Sequence, residues 1–157
     1  MIQVGEKLPQ ATFSLMNAEG NSNPTTEDLF TGKKVVLFAV PGAFTPTCSE
    51  AHLPGFIVKA DEIKAKGVAS IICLSVNDAF VMKSWGESQN AEEITMLADG
   101  GASFTKAIGL EMDTADFGGV RSQRYAMVVD DGVVTTLNVE KAGEFEASSA
   151  DAILAAL

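Results

Sequence analysis

The sequence predicts an α/β fold in which a mixed β-sheet carries helices on both faces, and three features support this. First, residues 34–40 and 68–76 are short apolar runs with the β-branched composition of buried strands. Second, a helical segment separates these runs, and this order predicts a βαβ unit whose two strands are parallel. Third, Asp131-Gly132 separates two further apolar runs late in the chain, which is typical of an antiparallel hairpin with a tight turn.

The other elements follow from local signals. Residues 1–33 predict an N-terminal hairpin or an irregular lead-in, with one helical turn at 26–30 that ends at Gly32. Residues 49–66 predict a helix that Pro54 should kink, because the proline ring clashes with the preceding turn. Later in the chain we expect a helix at 79–89 capped by Asn77 and Asp78, a strand at 94–98, a short helix at 103–108, an acidic loop at 111–119, hairpin strands at 125–129 and 133–139, and a closing helix at 148–157.

Length and composition indicate one globular domain that covers residues 1–157. The chain is 46% hydrophobic and 20% charged, and its net charge of −10 argues against nucleic-acid and anionic-membrane partners. No apolar run approaches the length of a membrane span. The N-terminal residues resemble neither a signal peptide nor a transit peptide, so we expect a cytoplasmic protein. One histidine and two cysteines form no metal-ligand spacing and no disulfide framework.

The chemistry is predicted to lie in residues 40–49, Val-Pro-Gly-Ala-Phe-Thr-Pro-Thr-Cys-Ser. Cys48 stands where the strand has ended and the helix begins, so unpaired backbone N–H groups and the helix dipole should favour its thiolate. Thr45 lies three residues earlier, close enough for its hydroxyl to reach the sulfur or a ligand beside it. Pro41 and Pro46 stiffen the loop. We therefore predict a reactive cysteine held in a rigid loop.

The spacing Pro41-x-x-x-Thr45-x-x-Cys48 resembles the active-site motif of the peroxiredoxins, and residues 40–49 as a whole are similar to the type II, peroxiredoxin-5-like branch. Residues 52–56 (His-Leu-Pro-Gly-Phe) and 121–129 (Arg-Ser-Gln-Arg-Tyr-Ala-Met-Val-Val) extend the resemblance in the family's order. The resemblance implies a thioredoxin-like fold. It also implies a thiol peroxidase that uses no metal, haem or flavin.

The resemblance also implies roles for individual residues. Cys48 would be the peroxidatic nucleophile, which reduces hydrogen peroxide or an alkyl hydroperoxide and becomes a sulfenic acid. Thr45, Arg124 and the backbone N–H of Cys48 would stabilise the departing oxygen. Pro41, with Gly42 and Phe44, would shape the pocket around the sulfur. Glutathione with glutaredoxin, or thioredoxin, would regenerate the thiol, and the branch commonly forms a homodimer around this loop.

The role of Cys73 has two interpretations. It lies in the middle of an apolar strand, which favours a core residue. The alternative is a resolving cysteine that forms a disulfide with Cys48, since plant-like type II members have a cysteine at this spacing. The segment 143–149 contains no cysteine, which excludes the C-terminal resolving arrangement of other members and favours reduction by an external thiol.

His52 and Arg121 are candidates for supporting the site. His52 lies one helical turn after Cys48, where it would either support the site locally or form a Cys–His catalytic pair. Arg121 would orient Arg124 or an acidic group, or it would be a solvated charge.

Three aromatic residues, Phe44, Phe80 and Trp85, are expected in the core, with the pocket entrance or a dimer face as the alternative.

Two other functions share some of these features. A thioredoxin-type oxidoreductase needs Cys-x-x-Cys, but Thr45 occupies the first of those positions. A redox sensor or holdase would be switched by oxidation of Cys48 and would not turn over peroxide continuously.

Overall fold

The computed structural model describes all residues from 1 to 157 and contains nine strands and five α-helices. The strands are β1 Leu15–Asn17, β2 Gly20–Ser22, β3 Lys34–Ala39, β4 Ser70–Ser75, β5 Thr95–Ala98, β6 Glu111–Asp113, β7 Val120–Ser122, β8 Tyr125–Asp130 and β9 Val133–Val139. The helices are α1 Thr26–Phe30, α2 Leu53–Lys64, α3 Ala79–Ser88, α4 Ser103–Ala107 and α5 Ala150–Ala156. A π-helical turn, Cys48–His52, precedes α2, and a 3-10 turn, Ala115–Phe117, lies between β6 and β7.

The central sheet has five strands in the order β5-β4-β3-β8-β9. Strand β3 is parallel to β4, and β4 is parallel to β5, whereas β8 and β9 run antiparallel to their neighbours. Phe38, in the middle strand, faces Cys73 on one side and Ala126 on the other. The predicted mixed sheet, with its βαβ unit and its late hairpin, is confirmed.

Hydrophobic cores lie on both faces of this sheet, as predicted. On one face, α2, α3 and α5 contribute fully buried side chains such as Phe56, Trp85 and Ile153. On the other face, α1 and α4 contribute Phe30 and Phe104. Because β3 and β4 are covered on both sides, the residues inside them are consecutively apolar rather than alternating with polar ones, and polar residues stand only at the strand ends.

The turn between β8 and β9 has the geometry that its sequence predicts. Asp131 and Gly132 both have positive φ, 49° and 80°, as a type I′ turn requires. The Asp131 carboxylate also accepts a hydrogen bond from the Gly32 N–H at 2.6 Å. The hairpin is thereby joined to the segment that follows α1.

The loop predicted at residues 111–119 is wrong at its start, because Glu111–Asp113 forms strand β6. Strands β6 and β7 pair there, and Thr114 closes the connection because its N–H and its hydroxyl both donate to the Gly119 carbonyl, at 2.8 and 2.7 Å. Each strand has three residues, too few to show a periodic apolar pattern. Backbone pairing, which the sequence pattern does not reveal, produces this small sheet.

The kink expected at Pro54 takes another form. Pro54 lies in the first turn of α2, where a missing N–H costs least, and the irregularity lies before it as the π-helical turn. There the Leu53 N–H donates to the Cys48 carbonyl five residues earlier. No helix in the structure combines the length and the apolar character that crossing a membrane requires.

Candidate active site

Cys48 is the first residue of the π-helical turn, and it follows a loop that begins where β3 ends. Its side chain is buried, with 1% of its surface exposed, against the sheet face that α2, α3 and α5 cover. The unpaired N–H groups at this helix start favour negative charge on the sulfur. The predicted position of Cys48, between a strand end and a helix start, is confirmed.

Arg124 reaches Cys48 because β8 lies beside β3. The two strands are antiparallel, with Tyr125 opposite Ala39, so the start of β8 meets the end of β3. Arg124 immediately precedes β8, and its Nη2 donates to the Cys48 sulfur at 3.0 Å. A permanently charged donor at this distance stabilises a thiolate.

His52 lies behind Arg124 and is fully buried. Its Nδ1 lies 2.8 Å from Arg124 Nη1, and its Nε2 lies 2.9 Å from the carbonyl oxygen of Ser148. Burial, together with the charge of Arg124, lowers the pKa of His52 to about 3, so the ring is neutral at neutral pH. A neutral ring has one N–H, and only Nε2 faces an oxygen that must accept. Nδ1 therefore accepts from Arg124 and forms no catalytic pair with Cys48.

The Thr45 hydroxyl does not contact the sulfur. It donates to the Gly42 carbonyl at 2.6 Å, because the loop turns back at Phe44, whose φ of 64° is left-handed. The loop is tight here, since a Cβ added to Gly42 would lie 3.2 Å from the Thr45 methyl carbon. The lone pairs of the hydroxyl oxygen remain free. A bound oxygen that accepts more strongly than the Gly42 carbonyl would compete with it for the hydroxyl proton.

Asn77 holds this loop from the side and was not predicted to do so. Its Oδ1 accepts hydrogen bonds from the Ala43 N–H, at 3.0 Å, and from the Ser75 hydroxyl at the end of β4. The sequence suggested a cap for α3, but Asp78 alone caps that helix, by accepting from the Val81 N–H. Asn77 thus ties the cysteine loop to the central sheet.

Arg121 forms no contact with Arg124, and the expectation that it orients Arg124 is wrong. Its Nη1 donates to the Val76 carbonyl at 2.9 Å and its Nε to the Gly118 carbonyl at 3.0 Å. Arg121 belongs to β7, and these bonds fasten the β6–β7 pair to the end of β4. Its guanidinium therefore binds backbone oxygens and donates no hydrogen bond to the sulfur.

Cys73 is buried in the middle of β4, with no exposed surface, as expected of a core residue. Burial raises the pKa of its thiol well above the ordinary value, and the nearby negative charge of Cys48 raises it further. Neither cysteine forms a disulfide.

A cavity of about 290 Å³ opens onto Arg124. Pro41 and Thr47 form one side, while Glu140 and Phe145 form another. Among the residues predicted to support the pocket, Pro41 lines this cavity, whereas Gly42, Phe44, His52 and Arg121 do not. A larger cavity of about 500 Å³ lies between β1, α3 and β5, and no predicted site residue lines it.

The expectation that three aromatic residues lie in the core is correct for one of them. Trp85 is fully buried, and its indole N–H donates to the Ser49 hydroxyl at 3.0 Å. Phe44 and Phe80 are 55% and 66% exposed. Phe44 is exposed because it occupies the left-handed turn of the loop, and Phe80 because it lies on the outer side of the first turn of α3.

The segment after β9 contributes residues that the sequence did not single out. The Ser148 carbonyl accepts from His52, and the Phe145 ring packs 4.9 Å from the His52 ring and 5.8 Å from Arg124 Cζ. The Glu140 carboxylate accepts hydrogen bonds from Glu146 and Ser148 of this segment. No local motif marks these residues, because their importance depends on a fold that brings the segment beside His52.

Residues 3–154 match the sequence family described as Redoxin. A chloroplastic peroxiredoxin-2E-2 from Oryza sativa subsp. japonica is 55% identical over 99% of this chain and 72% of its own length. Peroxiredoxin-2B from Arabidopsis thaliana is 52% identical over 99% of this chain and 98% of its own.

Two solved structures are also similar to this chain. The reduced Prx3 of Vibrio vulnificus in complex with H2O2 shares 70% identity, with a TM-score of 0.97 and 99% coverage of both chains. Peroxiredoxin 5 of Alvinella pompejana shares 34% identity, with a TM-score of 0.86 and coverage of 99% of this chain and 97% of its own.

Proposed function

This chain belongs to the peroxiredoxin family and is a thiol peroxidase, and we propose that Cys48 is the sulfur that reduces the peroxide, with Arg124 and Thr45 stabilising the oxygen that leaves. The observation that carries the proposal is the 3.0 Å hydrogen bond from Arg124 Nη2 to the Cys48 sulfur. That contact favours the thiolate in the resting site. It also places a fixed positive charge beside the sulfur that the peroxide must reach.

The proposed reaction is a displacement at oxygen. The Cys48 thiolate attacks one oxygen of the hydroperoxide, an S–O bond forms, and the O–O bond breaks. Cys48 becomes a sulfenic acid, and the departing oxygen takes a proton to leave as water or an alcohol. Negative charge moves from sulfur to this oxygen during the step, so Arg124 stabilises both ends of the transfer.

Thr45 would contribute after a small rotation. Its hydroxyl now donates to Gly42, and rotation about the side-chain torsion would direct the proton toward a bound peroxide. The backbone N–H of Cys48 is the third donor in this proposal. Pro41 lines the cavity beside Arg124 and would shape the pocket around the peroxide.

An external thiol, glutathione with glutaredoxin or thioredoxin, is the proposed reductant. The full burial of Cys73 within β4 supports this choice. A disulfide between Cys73 and Cys48 requires Cα atoms within about 7 Å, and the thiol of Cys73 would have to leave the core or the π-helical turn would have to unwind. Cys73 as the resolving cysteine is the alternative that the experiment separates.

A homodimer and a cytoplasmic location are also proposals. Phe44 and Phe80 are large, apolar and exposed, and such side chains favour an interface between two copies of the chain. Sedimentation of the wild type and of Phe44→Ser tests the dimer. The rice relative carries "chloroplastic" in its name, so the compartment is tested by locating a tagged protein in the source cell.

The deciding experiment is peroxide consumption by the wild type, Cys48→Ser and Cys73→Ser, each with glutathione plus glutaredoxin, thioredoxin plus its reductase, and dithiothreitol. We expect Cys48→Ser to be inactive with every reductant and Cys73→Ser to turn over normally. Loss of only the thioredoxin-supported rate in Cys73→Ser would make Cys73 the resolving cysteine. If the wild type consumes one equivalent of peroxide and then stops despite ample reductant, a redox sensor or holdase describes the protein better.

A further inference from the structure

Glu140 is a buried acidic residue beside the candidate site that no cation neutralises. It directly follows β9, it is 8% exposed, and it belongs to none of the ion pairs in the structure. One carboxylate oxygen accepts three hydrogen bonds instead. The donors are the Glu146 N–H at 2.7 Å, the Ser148 N–H at 2.8 Å and the Ser148 hydroxyl at 2.6 Å.

These three donors explain how the carboxylate is tolerated. Burial alone raises the pKa of Glu140, but the hydrogen bonds from Ser148 and from the neighbouring backbone N–H groups lower it below its ordinary value on balance. The charged form is therefore the one that binds the segment 146–148. Charge-assisted hydrogen bonds are short and strong, so this carboxylate acts as an anchor for that segment.

The anchor is itself fixed to the strand end that carries Arg124. The Glu140 N–H donates to the Arg124 carbonyl at 2.9 Å. The carboxylate thus connects two parts of the site: the backbone of Arg124 and the segment that ends at Ser148.

The anchored segment determines the orientation of His52. The Ser148 carbonyl accepts from His52 Nε2 at 2.9 Å, which leaves Nδ1 to accept from Arg124. Phe145, in the same segment, packs against the His52 ring at 4.9 Å and lies under the Arg124 guanidinium at 5.8 Å. If the segment shifts, the His52 ring loses its acceptor, and Arg124 loses the orientation that the ring gives it.

We propose that Glu140 is a positioning residue for the peroxidase reaction: its carboxylate fixes Ser148, Ser148 fixes the His52 ring, and His52 holds Arg124 against the Cys48 sulfur. This inference rests on the proposed role of Arg124. Glu140 touches neither the sulfur nor the peroxide, so it acts through the geometry of Arg124. A displacement of a catalytic group by about 1 Å can cost on the order of a hundredfold in rate.

The test compares Glu140→Ala and Glu140→Gln with Glu146→Ala and Glu146→Gln. Glu146 is a matched control, since it is exposed, its side chain forms no hydrogen bond, and the hydrogen bond from its backbone N–H to Glu140 survives substitution.

The measurement is the rate of oxidation of the reduced protein by H2O2 in stopped flow. Its signal is the fluorescence of Trp85, the single tryptophan, which donates a hydrogen bond to Ser49 beside Cys48. We expect Glu140→Ala to lower the second-order rate constant about 10- to 100-fold. Glu140→Gln keeps the shape and should give a smaller loss, and the Glu146 variants should stay within about twofold of the wild type.

A double-mutant cycle with His52→Phe separates positioning from a general loss of structure. Phenylalanine fits among the aromatic neighbours of His52 but removes both hydrogen bonds. If Glu140 acts through His52, Glu140→Ala should change the rate by no more than about twofold in the His52→Phe background. Effects that multiply would overturn the inference, as would wild-type rates in both Glu140 variants.

Arg124→Lys, measured in parallel, separates the two proposals. If Arg124→Lys is slow and the Glu140 variants react normally, the positioning role is wrong and the role of Arg124 stands. If Arg124→Lys reacts at the wild-type rate, the proposed role of Arg124 is itself wrong.

Discussion

The guanidinium of Arg124 donates to the sulfur of Cys48 at 3.0 Å, although 76 positions separate the two residues in the chain. The contact forms because β8 lies antiparallel beside β3, so that the residue before β8 meets the loop that follows β3. The sheet order thus determines which arginine reaches the sulfur. Arg121, three residues earlier, binds backbone carbonyls instead.

Replacing Arg124 by lysine should lower the rate constant for oxidation by H2O2 by about 10²–10³, the usual cost of losing one preorganised donor. Lysine keeps the charge but cannot bind the sulfur and His52 Nδ1 in one plane. Arg121→Lys should lower the rate far less, since its guanidinium does not contact Cys48. Equal losses in the two variants, measured by stopped flow, would contradict the assignment of Arg124 to the reaction.

Replacing Thr45 by valine should slow the reaction about 10-fold or more, whereas Thr45→Ser should retain most of the rate. Valine preserves the branched shape that packs against Gly42 but removes the hydroxyl, and serine does the reverse. The same stopped-flow measurement applies. If both variants lose the same rate, Thr45 serves the loop through packing and not through its hydroxyl.

The buried His52 should make the stability of the fold depend on pH. The pKa of His52 is about 3 in the folded chain and near 6.5 when unfolded, so between these values the unfolded state binds more protons. Stability therefore falls as pH falls through this window, and from pH 7 to pH 5 the loss should be about 2 kcal/mol.

Urea unfolding at several pH values measures this slope. The chain has one histidine, so His52→Phe should remove the histidine contribution. Identical slopes with and without His52 would mean that the pKa of the ring is the same in the folded and unfolded protein, which contradicts its burial as a neutral group.

Cys73 should resist alkylation in the native protein. It has no exposed surface, and burial raises the pKa of its thiol, so little thiolate is present at pH 7. Iodoacetamide should label one thiol per native chain and two per chain in denaturant, with the native label on Cys48 as read by peptide mass spectrometry. Native labelling of Cys73 at a rate similar to that of Cys48 would show that β4 opens readily.

Much of the fold could be predicted because its signals are local. The apolar runs of β3 and β4 and the Asp131-Gly132 turn each specify their structure within a few residues. The β6–β7 pair could not be predicted, since its three-residue strands depend on backbone pairing closed by Thr114. The π-helical turn was also missed, although Pro54 indicated an irregular helix.

The residues of the candidate site also differ in whether the sequence alone could identify them. Cys48, Thr45 and Arg124 lie in recognisable motifs, so they could be selected from the sequence. Glu140 and Ser148 could not, because one is among 21 acidic residues and the other acts through its backbone carbonyl. Their contribution appears only when the chain is folded.

The central claim is that the Cys48 thiolate attacks the peroxide, and the most direct test is a single turnover. The reduced protein is mixed with one equivalent of H2O2 in the presence of dimedone, which traps sulfenic acids, and the peptides are then analysed by mass spectrometry. We predict dimedone on Cys48 in the wild type and in Cys73→Ser, and a large loss of label in Arg124→Lys at early times. Dimedone on Cys73 with Cys48 unmodified, or rapid peroxide loss in Cys48→Ser, would contradict the account.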